Sequence, residues 1–127
     1  MKAVIKVVAI DDDVSIRELL WRIISTIPDT EVIGFSSFEE ARQTICQASP
    51  DIIFVDGYIY GEKETGLDFV RFVKGCLPAT KIVGMSGRAL EEEFLEAGAD
   101  EFLFKPFKVE TVRDIIVAEM IRRLATP

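Results

Sequence analysis

The sequence predicts an α/β fold built on a mostly parallel sheet with helices on both faces. Short apolar runs alternate with amphipathic stretches five times along the chain. The runs are apolar at nearly every position, as expected for strands covered on both faces, and the stretches between them are long enough to be crossover helices. No Gly/Ser linker, internal repeat or low-complexity tract interrupts this alternation.

Val4 to Ile10 is the first strand, apolar apart from Lys6, and it stops at Asp11-Asp12-Asp13. The next stretch places Ile16, Leu19, Leu20, Ile23, Ile24 and Ile27 on one helical face, with Ser15 and Glu18 at capping-box spacing and Pro28 as terminator. Glu31 to Phe35 reads as the second strand. Ser36-Ser37-Phe38-Glu39-Glu40 offers two overlapping capping boxes to a helix ending near Ala48, and Asp51 to Val55 is the third strand. A polar, glycine-bearing stretch from Asp56 to Gly66 leads into a helix with Leu67, Val70 and Val73 inward. Lys81 to Met85 is the fourth strand, followed by a short helix to Ala97 capped by Gly98. Asp100 to Phe104 is the fifth strand, and Phe107 to about Ala125 the last helix. Five such units with right-handed crossovers suggest a flavodoxin-like, doubly wound (βα)5 sheet in the order 2-1-3-4-5. In that architecture ligands sit beyond the carboxyl ends of the strands.

Composition narrows the function. At 127 residues the chain buries roughly two-thirds of its unfolded surface, enough for a single domain over residues 1–127 but not for a second. An effector is then expected on a separate protein. The 22 acidic residues outnumber the 15 basic ones, giving a net charge of −7, and Arg122-Arg123 is too small a cluster to hold a phosphate backbone, so no direct nucleic-acid partner is expected. With no histidine, the chain has no imidazole metal ligand, no Ser-His or Cys-His nucleophile and no phosphohistidine of its own. No apolar run reaches about 18 residues and the start lacks a cleavage site, so no membrane insertion and a cytoplasmic location are expected. Cys46 and Cys76 lie in apolar segments without CxxC spacing, which points to buried free thiols rather than a bridge.

The chemistry-bearing residues gather at the strand ends. Asp11, Asp12 and Asp13 follow the first strand, Asp56 the third, Ser86 the fourth and Lys105 the fifth. Carboxylates brought together repel, and a hard divalent cation such as Mg²⁺, with Lys105 as a second positive charge, compensates them. A carboxylate beside Mg²⁺, an ammonium and a hydroxyl suits phosphoryl transfer, which needs positioning and charge neutralisation. Asp13 alone reads as a cap for the following helix.

Four segments, VVAIDDDVSIRELL, DIIFVDG, IVGMSG and GADEFLFKPF, resemble in order the receiver domains of two-component response regulators over essentially the whole chain. The resemblance implies that Asp56 is the phosphoacceptor, loaded from the phosphohistidine of a histidine kinase or histidine phosphotransfer protein. It implies that Asp12 and Asp56 ligate Mg²⁺ directly, Asp11 through water, and Tyr58 through its backbone carbonyl. Lys105 would neutralise phosphoryl oxygens, Ser86 would bond the phosphoryl group and move toward it, and Phe102 would be the aromatic switch signalling to a downstream protein target. Pro106 matches a lysine-proline pair whose bond is usually cis. Such a chain is a phosphoacceptor, not a multiple-turnover enzyme.

Two loops depart from the family pattern. The stretch after Asp56 has no proline and reaches Gly66 a couple of residues late, and Ser86 to Lys105 is shortened to nineteen positions. Tyr58 and Arg88 lie where side chains commonly tune the lifetime of the acyl phosphate. The altered loops motivate a second reading, a receiver-like binding module that works without phosphorylation. A third, a haloacid-dehalogenase-like phosphatase with Asp11 as nucleophile and Asp13 as acid, fits DDDVS less well because Ser15 breaks that signature. On the last helix Val117, Ile121 and Leu124 widen the apolar stripe, which would be a docking or homodimer surface if neighbouring elements leave it uncovered.

Overall fold

The computed structural model describes residues 4–125. It contains strands β1 (Ile5–Ile10), β2 (Thr30–Phe35), β3 (Ile52–Asp56), β4 (Lys81–Ser86) and β5 (Glu101–Phe104). Between and after them run helices α1 (Val14–Ser25), α2 (Phe38–Ala48), α3 (Gly66–Cys76), α4 (Glu91–Ala97) and α5 (Val109–Ala125). All strand pairings are parallel and the order is β2-β1-β3-β4-β5, as the sequence predicts.

The period-2 alternation of the strands divides the core in two. Val7, Ala9, Ile52, Phe54, Val83 and Met85 pack on one face with Leu20 and Ile24 of α1 and Val112 and Ile116 of α5. Val8, Ile10, Ile53, Val55 and Ile82 pack on the other with Phe38 and Ile45 of α2, Phe69 and Val73 of α3, and Phe94 of α4. Fully burying one such side chain is worth about 1.5–3 kcal/mol, so the sheet is held by apolar contact from both sides. The same parity carries past the strand ends. Asp11, Asp56 and Lys105 continue the register of Ala9, Phe54 and Leu103, which aims all three to one side of the sheet.

Local signals explain most helix boundaries. Of the two caps the sequence offers for α1, Asp13 is the one used: its carboxylate accepts the Ser15 N–H at 2.8 Å, and the Ser15–Glu18 box does not form the cap. Leu19, placed inward by the helical pattern, is 36% exposed, because the buried stripe of α1 is narrower and centres on Leu20, Ile23 and Ile24. Ser37 caps α2, and Thr65 with Asp68 forms a full capping box on α3. Gly98 ends α4 at φ 118, as expected, and the Lys105–Pro106 bond is cis. The two cysteines are exposed rather than buried, since each lies in the last turn of its helix and off the core stripe. On α5, Val117, Ile121 and Leu124 are exposed.

At the end of the sheet away from the acidic residues, Glu119 of α5 is buried against Arg122 and Arg123 at 2.5 and 2.7 Å. Arg123 also reaches the carbonyls of Asp51 and Ala79, which ties α5 to the starts of β3 and β4. The paired arginines that look basic in sequence are thus engaged with an acid of their own helix.

The two glycines of α3 predict opposite outcomes. A Cβ on Gly66 would lie 2.1 Å from the Asp56 carbonyl oxygen, whereas one on Gly75 would meet nothing within 4 Å. Urea unfolding should therefore show Gly66→Ala destabilised by about 1–3 kcal/mol and Gly75→Ala stabilised by about 0.5–1 kcal/mol.

Candidate functional site

The crevice is formed where β1, β3, β4 and β5 end. Asp11 follows β1 and is fully buried; its Oδ1 accepts the Asp13 N–H at 3.0 Å, and Arg17 holds its carbonyl at 2.6 Å. Asp56 is the last residue of β3 and 8% exposed, with Oδ1 accepting the Gly57 N–H at 2.9 Å. Lys105 sits between them, its Nζ 2.6 Å from Asp11 Oδ2 and 3.0 Å from Asp56 Oδ1. Asp12 is exposed at the mouth, and oxygens of Asp11, Asp12 and Asp56 lie within 4.8 Å of one another.

The β3–α3 loop has to pass close to this centre. Gly57 donates to the Met85 carbonyl at 3.0 Å, Gly66 donates to the Gly57 carbonyl at 2.8 Å, and the approach of Gly66 to the Asp56 backbone leaves no space for a side chain. The extra length is anchored rather than loose. The Tyr60 N–H donates to Asp12 Oδ2 at 3.2 Å, and the Glu62 carboxylate accepts from Phe38 N–H at 3.1 Å at the start of α2. Glu64 pairs with Arg42 of α2. Sequence reasoning missed Tyr60 and Glu62 as site-positioning residues. The delayed glycine is the one signal of them, since it marks an enlarged loop without naming what the loop touches.

Electrostatics follow from this packing. Burial, and then the charge of Asp11, push the Asp56 carboxyl up from 3.8 to about 6 against the opposing pull of Lys105. Burial works against the Lys105 ammonium, but its hydrogen bond and charge contact with Asp11, and then with Asp56, hold its pKa above the ordinary lysine value. Three carboxylates against one ammonium leave the crevice electronegative. Hard oxygen donors at this spacing, on a carboxyl whose ionisation is resisted by its neighbours, fit a small divalent cation.

The other predicted residues fall around this centre. Ser86 is buried at the end of β4, and its Oγ accepts the Arg88 N–H at 3.0 Å. Tyr58 is half-exposed with the Arg88 guanidinium 5.4 Å above its ring, so the loops after β3 and β4 touch. Phe102 is half-buried, 5.6 Å from the Phe94 ring and in edge contact with Phe104 at 4.9 Å. Asp13 is accounted for by capping α1, outside the acidic trio. A groove of ≈ 390 Å³ lined by Lys74, Thr80, Lys81, Asp100 and Glu119 lies elsewhere on the surface and shares no residue with the crevice.

A family model described as the response regulator receiver domain matches residues 7–117. The protein-glutamate methylesterase/protein-glutamine glutaminase of Methylobacillus flagellatus is 36% identical over 107 residues, covering 80% of this chain and 30% of the relative. The transcriptional regulatory protein DcuR of Shigella flexneri is 28% identical over 127 residues, covering 95% of this chain and 52% of the relative. The receiver domain of NtrX from Brucella abortus superposes with a TM-score of 0.80 at 29% identity, covering 95% of this chain and 99% of that one. Thus the chain spans about a third to a half of the length of these curated relatives.

The raised Asp56 pKa sets a pH dependence in metal-free buffer. The folded carboxyl keeps its proton to higher pH than the unfolded one, so its contribution to stability is fully present below about 3.8 and lost as pH rises through about 6. The loss amounts to at most about 3 kcal/mol. Asp56→Asn, which cannot ionise, should melt above the unsubstituted protein at pH 8 in a chelator, with the gap narrowing toward pH 4.

Proposed function

The chain belongs to the response regulator receiver domain family, and from that premise we propose that it is a phosphoacceptor whose Asp56 takes a phosphoryl group from a histidine kinase or histidine phosphotransfer protein. The observation that carries this reading is the Lys105 ammonium held between buried Asp11 and Asp56 at 2.6 and 3.0 Å. A carboxylate so placed is a nucleophile with a cation already beside the position that incoming phosphoryl oxygens take.

In the transfer an Asp56 oxygen attacks phosphorus, the P–N bond of the donor phosphohistidine breaks, and an acyl phosphate forms on Asp56. Lys105 neutralises phosphoryl oxygens. Ser86 already accepts the Arg88 N–H through Oγ, so its own hydroxyl proton is the one it offers to the phosphoryl group. Asp12 and Asp56 would hold Mg²⁺ directly, Asp11 through water, and the Tyr58 carbonyl would complete the protein ligands. When bound, Mg²⁺ supplies charge neutralisation of the transferring group. Phe102, packed between Phe94 and Phe104, is the side chain that would relay movement of Ser86 to the outer face.

The output is a surface read by a separate protein target, with no direct nucleic-acid contact. No helix among the described residues is long and apolar enough to cross a membrane. The exposed flank of Val117, Ile121 and Leu124 is the surface for a homodimer. The esterase activity named for the Methylobacillus relative is not carried over, since the match spans 30% of that protein.

Incubation with a low-molecular-weight phosphodonor and Mg²⁺ should label the protein once. Labelling should disappear with a chelator and in Asp56→Asn, and persistence in Asp56→Asn would overturn the assignment. The Tyr58–Arg88 stack bridges the loops after β3 and β4, so Arg88→Ala should expose the acyl phosphate to water. Its phosphoryl group should be lost severalfold faster than that of the unsubstituted protein in a pulse-chase; an unchanged rate would remove Arg88 from this role.

A further inference from the structure

The side-chain pair that the phosphoacceptor reading leaves unused is Cys46 and Cys76, thirty positions apart in sequence. Cys46 lies in the last turn of α2 and Cys76 is the last residue of α3. Both are exposed, and the Cys46 thiol donates to the Cys76 sulfur at 3.1 Å. One helical turn earlier on each element, Arg42 of α2 stacks over the Phe72 ring of α3 at 4.1 Å. Residues four apart share a helix face, so this stack sits directly beneath the thiols and holds the two helices in register. The contact is thus one between two packed helices and not between loop tips.

We propose that Cys46 and Cys76 form a redox-modifiable dithiol that closes reversibly to an intramolecular disulfide joining the ends of α2 and α3. A disulfide bond is about 2.05 Å long, so closure needs the sulfurs to approach by about 1 Å. Both side chains are at helix ends, where such a movement does not disturb the core. The oxidant is a peroxide. One thiolate attacks a peroxide oxygen, the O–O bond breaks, and the sulfur becomes a sulfenic acid with release of hydroxide, which takes up the first thiol's proton as water. The second sulfur then displaces the sulfenic oxygen, the S–O bond breaks, the S–S bond forms, and a second water leaves. Two thiols and one hydrogen peroxide thus give one disulfide and two waters. A dithiol reductant reverses the closure by exchange.

Burial and then the neighbouring Cys46 thiol hold the Cys76 pKa above the ordinary thiol value. A raised pKa leaves less thiolate at Cys76 near neutral pH, which slows its own attack on an oxidant. The resulting covalent loop, from residue 46 to residue 76, encloses β3, Asp56 and the enlarged loop after it. Closure would constrain the phosphoacceptor segment without touching the crevice itself.

The test treats the reduced protein with one equivalent of hydrogen peroxide and follows thiol titration, intact mass and non-reducing electrophoresis. Both thiols should be lost together with a mass decrease of about 2 Da, the protein should stay monomeric on the gel, and dithiothreitol should restore both thiols. Cys46→Ser and Cys76→Ser, which alter exposed positions and should keep the far-UV spectrum of the parent, should lose this 2 Da step. The proposal is overturned if the thiols of the parent protein are consumed independently, if they gain oxygen instead of losing hydrogen, or if the cross-link forms between chains.

Discussion

The rest of the site depends on one ammonium placed between two buried carboxylates. Asp11 has no solvent exposure and Asp56 has almost none, so neither is hydrated as a surface carboxylate would be. At an effective dielectric near 20, a unit charge pair a few ångströms apart is worth roughly 4 kcal/mol, comparable to the several kcal/mol needed to desolvate each ion. Lys105 therefore balances one carboxylate well and two only partly. Burial first, and then the charge of Asp11, raise the Asp56 pKa, and a divalent cation is the component that would offset both. A site that its own residues neutralise incompletely is one whose energy depends on the arrival of a further cation.

The fold serves that constraint through geometry that is individually simple. Strand parity aims Asp11, Asp56 and Lys105 to one face, while Ser86, on a position of opposite parity in β4, approaches from the other. Glycine at position 66 lets the backbone after Asp56 fold back against the end of β3. Glu62 then fixes the enlarged loop by accepting hydrogen bonds at the start of α2, where exposed N–H groups favour an anion. The same loop donates the Tyr60 N–H to Asp12, so the segment that departs from the family pattern is directly coupled to the acidic cluster.

What could be read from sequence was whatever local chemistry dictates. The five apolar runs give the sheet, and the acids, hydroxyl and lysine at their ends give the crevice. The capping box of α3 was legible in Thr65-Gly66-Leu67-Asp68 but was hidden within a stretch read as loop. Asp13 and Ser15 both read as caps of α1, and only the backbone geometry selects Asp13. Leu19 obeyed helical periodicity yet stayed partly exposed, since periodicity fixes a direction and not what lies there. The Cys46–Cys76 contact, the Glu62 cap and the Arg42–Phe72 stack join residues 24 to 30 positions apart. No local pattern encodes such pairs; they follow from how α2 and α3 pack.

The central claim is that the Asp11–Lys105–Asp56 cluster is under-neutralised until a cation joins it. A ¹³C NMR titration of the Asp56 carboxyl, with and without Mg²⁺, measures this directly. The account predicts titration near pH 6 in metal-free buffer and a clear downward shift when Mg²⁺ is added. An Asp56 that titrates at the ordinary 3.8 without metal, and does not respond to Mg²⁺, would contradict it.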